Sequence, residues 1–168
     1  IQDFEIRGAD HWGLTCNGPT GQKLCQNVTM QRLYFNGFSN MGPNPKVKPW
    51  GSCLEGAVSF CSSTGNDQIL LTDFVIDGDV GDTLSNCWSG TDYTFCGART
   101  NAIYMNVVKS RISDGFMEDM EGYIARLASE GIIEDINAKR MLCGCDDGCV
   151  QLYNTRHMIL RRIVCEDC

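Results

Sequence analysis

Eleven cysteines constrain this 168-residue chain more than any other feature. A reducing cytosol gives no structural use for so many thiols, whereas an oxidising compartment turns them into cross-links. They are also unevenly spread. Cys16, Cys25, Cys53, Cys61, Cys87 and Cys96 occupy the first part of the chain, and Cys143, Cys145, Cys149, Cys165 and Cys168 crowd the end. All eleven are disulfide candidates, and the odd number leaves one thiol over, which the crowding places in the C-terminal group. Cys16–Cys25, Cys53–Cys61 and Cys87–Cys96 enclose loops of similar length, so local closure is the first pairing expected, although spacing alone does not fix connectivity.

A secreted, extracellular protein is the corresponding expectation. The chain starts at Ile1, as it would after removal of a leader. Asn27-Val28-Thr29 is a sequon that would accept a glycan at Asn27 in a eukaryotic secretory pathway. No run of apolar residues reaches the length of a membrane helix, so no membrane insertion is expected. The net charge of −7 disfavours nucleic acid as a partner, since phosphate contacts require Lys and Arg. At this length, with 43% hydrophobic residues, the chain can bury a core, and it reads as a single disulfide-rich domain over 1–168. No repeat of fixed period is visible.

Hydrophobic patterning predicts an α+β fold. Phe116, Met120, Tyr123, Ile124 and Leu127 recur at spacings of three and four, which predicts an amphipathic helix over 114–129. Ser113 or Asp114 would cap its start and Gly131 would stop it. A short second helix over 132–141 would pack through Ile133 and Ile136. Residues 28–35, 56–61, 68–76 and 102–112 are rich in branched and aromatic side chains between Gly, Asn, Asp and Ser clusters, so they read as strands. Residues 149–153 and 157–164 would form a C-terminal hairpin around Asn154-Thr155-Arg156. The expectation is a mainly antiparallel sheet covered by one helix.

Motifs for chemistry are weak. The tail thiols Cys143, Cys145, Cys165 and Cys168 are numerous enough for tetrahedral zinc, but oxidising surroundings favour disulfides, and no metal is expected. Asp73, Asp77, Asp79 and Asp82 are dense enough for calcium, yet Trp88 stands where the last ligand of a twelve-residue calcium loop belongs. His11 and His157 could serve as base and acid of a ribonuclease, but the surrounding residues carry no such motif. Gly37-Phe38-Ser39-Asn40-Met41-Gly42 misses a nucleophile elbow by one residue. No catalytic residue is therefore assigned, and no cofactor is expected. Trp12, Trp50 and Trp88, each beside glycine or cysteine, are the candidate binding residues, suited to stacking on sugars or anchoring a protein. Arg156, Arg161, Arg162 and Lys139-Arg140 make the C-terminal end locally basic, and read as a solvated face.

With dense cysteines, acidity and one α+β domain, the chain resembles the small secreted cysteine-rich effectors of filamentous plant pathogens. The resemblance covers the overall profile and rests on no family motif. It implies a virulence protein that binds a host or extracellular protein. A secreted hydrolase acting on polysaccharide or RNA, and a carbohydrate-binding protein, are the competing classes.

Overall fold

The structure is a computed structural model that describes residues 1–7, 12–17, 25–37, 56–61, 66–78, 101–105, 107–118, 125–126, 129–141 and 149–166. Among these the only regular elements are strands: β1 (Gln2–Arg7), β2 (Trp12–Asn17), β3 (Gln26–Asn36), β4 (Gly56–Cys61), β5 (Asn66–Asp77), β6 (Asn101–Met105), β7 (Val107–Val108), β8 (Arg111–Glu118), β9 (Ala125–Arg126), β10 (Ile132–Lys139), β11 (Leu152–Tyr153) and β12 (Ile159–Glu166). Every pairing between them is parallel. The long sheet runs β1-β3-β5-β8-β10-β12, with β7 also paired to β5, while β2-β4-β6 and β9-β11 form smaller sheets.

The chain thus visits the long sheet, then a small sheet, then the long sheet again one strand further along. That is the path of a β-solenoid, in which each coil stacks about 4.8 Å above the last. The coils differ in length. Gln26 pairs with Asp67 and Leu70 with Arg111, forty-one residues on in each case, whereas Arg111 pairs with Ile132 after only twenty-one.

Corners are set by backbone conformation at fixed columns. Asp3, Arg32, Asp73, Asp114, Asp135 and Arg162 all have φ between 52° and 56°, and the pairing register stacks them directly on one another. A second column, Asn27, Gln68, Lys109, Glu130 and His157, has φ of 54° to 56°. One left-handed residue turns the strand without breaking the parallel ladder on either side. L-residues occupy this region at a cost of about 1–2 kcal/mol, and Asp and Asn tolerate it best.

The same corners explain the interior. On either side of the Asp73 column the inward residues alternate normally, but across it they lie three apart: Leu71 and Phe74, Ile112 and Gly115, Ile133 and Ile136. Stacked columns result. Met30, Leu71, Ile112 and Ile133 are buried one above another, as are Phe35, Ile76, Met117 and Ala138. Ala57, Val58, Phe60, Ala102, Ile103 and Met105 from the β2-β4-β6 sheet close the same core. The buried Ser110 hydroxyl is satisfied: its Oγ accepts from the Ile69 N–H at 3.2 Å and donates to the Val108 carbonyl at 3.3 Å.

The α+β expectation is therefore corrected. The proposed helix 114–129 begins inside β8, where Phe116, expected on the packed face of the helix, faces outward and Met117 faces inward. The proposed helix 132–141 is β10; its Ile133 and Ile136 are three apart because the Asp135 corner lies between them. Residues 149–153 and 157–164 form no hairpin: β11 pairs with β9, β12 pairs with β10, and both ladders are parallel. The sheet is parallel where an antiparallel one was expected. The strands expected at 28–35, 56–61 and 68–76 coincide with β3, β4 and β5, and the run 102–112 divides into β6, β7 and the start of β8.

Candidate functional site

Two regions of the coil carry organised polar groups. The first is the corner where the chain leaves the long sheet. Asn36 ends β3 and Asp77 ends β5; they are paired in register, and Asn36 Nδ2 donates to Asp77 Oδ2 at 3.1 Å. The ladder continues one step, as the Gly37 N–H donates to the Asp77 carbonyl and the Gly78 N–H to the Glu118 carbonyl, both at 3.0 Å. Gly37 has a φ of 74°, a conformation that glycine adopts freely. Residues 37–55 and 78–100 separate this pair of positions from Gly56 and Asn101, which are again paired. The corresponding stretches in the first and fourth coils are only 8–11 and 119–124. Extra chain is thus concentrated at one corner of two adjacent coils.

In the same outward column Asp77 neighbours Glu118, but neither is a spare carboxylate. Asp77 accepts from Asn36, and Glu118 accepts from Arg140 Nη2 at 2.7 Å. The arrangement holds a polar row in place and supplies no pair poised for general acid–base work.

The second region is centred on Glu134, an outward-column residue whose side chain has no solvent exposure. Three arginines cover it. Arg111 Nη2 lies 2.5 Å from Oε1, and Arg161 Nε and Arg162 Nη2 lie 2.5 and 3.0 Å from Oε2. Arg162 also grips Asp135 in a two-pronged pair at 2.5 and 2.6 Å. Arg32 makes the same grip on Asp3 at 2.6 and 2.8 Å. The hydrogen bond from Arg161 holds the Glu134 carboxyl below the usual range against the opposing effect of burial, and Arg111 adds to the lowering. Asp135 is lowered chiefly by Arg162, and Asp3 chiefly by Arg32. The basic end read from the sequence is therefore largely neutralised: Arg161 and Arg162 are paired, and Arg140 is bound to Glu118.

These pairs give a pH dependence of definite sign. Carboxyls depressed below their ordinary values of 4.5 and 3.8 add stability that is fully present above those values and disappears as pH falls through the folded ones. The melting temperature should hold from neutral pH down to about 5 and drop steeply below about 4. Glu134→Gln should melt lower at neutral pH and lose less on acidification. Parallel melting-temperature profiles for the two proteins, followed by circular dichroism, would show that Glu134 contributes nothing to the acid sensitivity.

The sequence-predicted residues are scattered. Trp12 opens β2, while Trp50 and Trp88 lie outside the described residues, within the stretches inserted after β3 and β5. Asn27 is exposed at a corner with φ 54°, and Thr29 of its sequon is exposed as well. Cys16 and Cys25 form a disulfide with Cα atoms 6.4 Å apart, the local closure expected from their spacing. Cys149 and Cys165 form another, Cα atoms 6.1 Å apart, which ties the chain before β11 to β12. Cys61 ends β4, and Cys53, Cys87, Cys96, Cys143, Cys145 and Cys168 lie outside the described residues. His157 is an exposed corner residue, and His11 lies outside the described residues. Asp73 and Asp77 stand on different columns of β5, Asp79 and Asp82 lie outside the described residues, and no group of three or more metal-type ligands converges among the described ones. The Glu134 cluster was not legible in advance. Its one signal was a Glu-Asp pair twenty-seven residues before an Arg-Arg pair, which matters only once the coil length is known.

What this geometry defines is a disulfide-bearing parallel β-solenoid with enlarged coils on one corner. No protein-family model matches the chain, and no curated protein or solved structure is similar to it at a significant level.

Proposed function

We propose that the chain is a secreted, cysteine-rich binding protein that recognises a host or extracellular protein through the stretches inserted at the Asn36–Asp77 corner. One observation carries the reading: two adjacent coils have been lengthened at the same corner, at positions locked together by the Asn36–Asp77 hydrogen bond. In solenoids the stacked strands act as a rigid frame, and insertions gathered on one side form the usual recognition surface. These insertions hold Trp50 and Trp88, large amphipathic side chains of the kind that anchor protein partners. Disulfides, the exposed sequon at Asn27 and the acidic charge favour an extracellular setting. Action on a plant host, as in the effectors the profile resembles, is part of this proposal.

The test compares the chain with its Trp50→Ala/Trp88→Ala double variant, each immobilised and exposed to plant extracellular-fluid proteins. Retention of a defined protein should fall at least roughly tenfold in the variant, the loss of one anchoring contact. Melting temperatures of the two should agree. Equal retention by both would overturn the proposal. Binding confined to a glycan array, or release of reducing ends from polysaccharide, would replace it with the carbohydrate-binding or hydrolase class.

A further inference from the structure

Between the Asp73 column and the insertion corner, the long sheet turns two columns of side chains outward. One is polar and runs Asn36, Asp77, Glu118, Lys139. The other runs Glu5, Tyr34, Val75, Phe116, Asn137, so consecutive coils place apolar side chains on the outside of the sheet. Tyr34, Val75 and Phe116 are half-buried and follow one another at the coil spacing of about 4.8 Å. A single outward apolar residue would call for no explanation, but a continuous row marks a contact surface. The row lies within the stack, with β1 on one side of it and β10 on the other.

Carboxylates border this stripe. Val75 stands between Asp73 and Asp77, and Phe116 between Asp114 and Glu118. Glu118 is neutralised by Arg140. In the corner column Arg32 grips Asp3 and Arg162 grips Asp135, whereas Asp73 and Asp114, stacked between those pairs, are in no ion pair among the described residues. Asp114 accepts from the Thr72 hydroxyl at 3.1 Å, a neutral donor that leaves its charge in place. Arg32 attracts Asp73 only at longer range, because its guanidinium is bound to Asp3. Both carboxylates are exposed, and like charges on adjacent strands repel, a cost that a cation laid across them removes.

An arginine side chain complements this combination. Its planar guanidinium can stack on an aromatic face while pairing with a carboxylate, and its aliphatic stem covers apolar surface. The net charge of −7 favours a cationic partner in general. The stripe also borders the insertion corner, since Tyr34 and Val75 lie just before Asn36 and Asp77 on the same strands.

We infer that the Tyr34–Val75–Phe116 stripe docks an arginine-bearing, apolar segment of a partner protein, its guanidinium groups meeting Asp73 and Asp114. The inference rests on the reading of the chain as a protein binder and names the chemistry of the segment bound.

Fluorescence anisotropy with the 168-residue chain and a labelled Arg-Leu-Arg-Leu-Arg peptide tests it. Binding should saturate and weaken as salt rises, and a Glu-Leu-Glu-Leu-Glu peptide should not bind. Asp73→Asn/Asp114→Asn should weaken it at least roughly tenfold. Asparagine tolerates the left-handed backbone of both positions, and the repulsion is gone, so the melting temperature should not fall. Val75→Lys, which sets a cation among the carboxylates, should weaken binding as much. Glu130→Gln, which removes an exposed carboxylate from the other corner column, should leave it unchanged, as should Trp50→Ala/Trp88→Ala. The peptide assay thus reads the stripe separately from retention of a host protein by the insertions, and either can fail while the other holds. Absence of saturable binding would overturn the inference. So would binding indifferent to Asp73→Asn/Asp114→Asn and Val75→Lys, or an equal loss in Glu130→Gln or in Trp50→Ala/Trp88→Ala, since the peptide would then be held elsewhere.

Discussion

Replacing Gly115 with valine is expected to cost about 3 kcal/mol, the upper part of the range for overfilling a packed interior. Gly115 lies in an inward column between Phe74 of the coil below and Ile136 of the coil above. A β-carbon at this position would fall on the ring of Phe74, which is itself buried and has no open side to swing into. The glycine is the complement of that ring. Phe74→Ala alone should lose about 3–5 kcal/mol through the void it leaves. Combined, the two changes should cost less than their sum by about 2 kcal/mol, because the valine occupies space the ring vacated. Urea unfolding of the four proteins measures this cycle. A Gly115→Val protein as stable as its parent would mean that these two coils do not stack as described.

Leu71→Ala should be comparably severe, and the reason lies in its position along the stack. Leu71 is completely buried between Met30 and Ile112, with coils on both sides to hold the cavity open. A loss of about 4 kcal/mol is expected from urea unfolding. Leu160 belongs to the same column but is 41% exposed on the last described coil, and Leu160→Ala should cost under about 1 kcal/mol. Equal losses at the two positions would contradict the order of the strands, since only the stacking distinguishes them.

Much of the strand content was visible in the sequence, and almost none of its arrangement was. Residues 28–35 and 68–76 declare themselves by branched and aromatic side chains between polar, turn-forming clusters. Alternation fails at the corners. A single left-handed residue shifts the inward set by one, so that Ile133 and Ile136 show the spacing of a helix while lying in one continuous strand. Asp114 illustrates the same ambiguity, because the residue type that caps helices also tolerates positive φ. Parallel pairing stayed hidden for another reason. Stacked residues are separated by twenty-one to forty-one positions in different coils, so no fixed period marks the repeat. The short Cys16–Cys25 closure was legible because it depends only on local distance. Glu134 was not, because its three arginines are brought to it by the register of β8, β10 and β12.

Unequal coils also give the molecule an uneven mechanical character. Strands in a stack of this kind peel one at a time when the ends are pulled apart, and each peeled coil pays out its own length of chain. The coil between Arg111 and Ile132 would release about 70 Å, and the one between Leu70 and Arg111 about twice that. A tether under tension would therefore lengthen in steps of differing size, with Cys149–Cys165 holding one loop shut throughout.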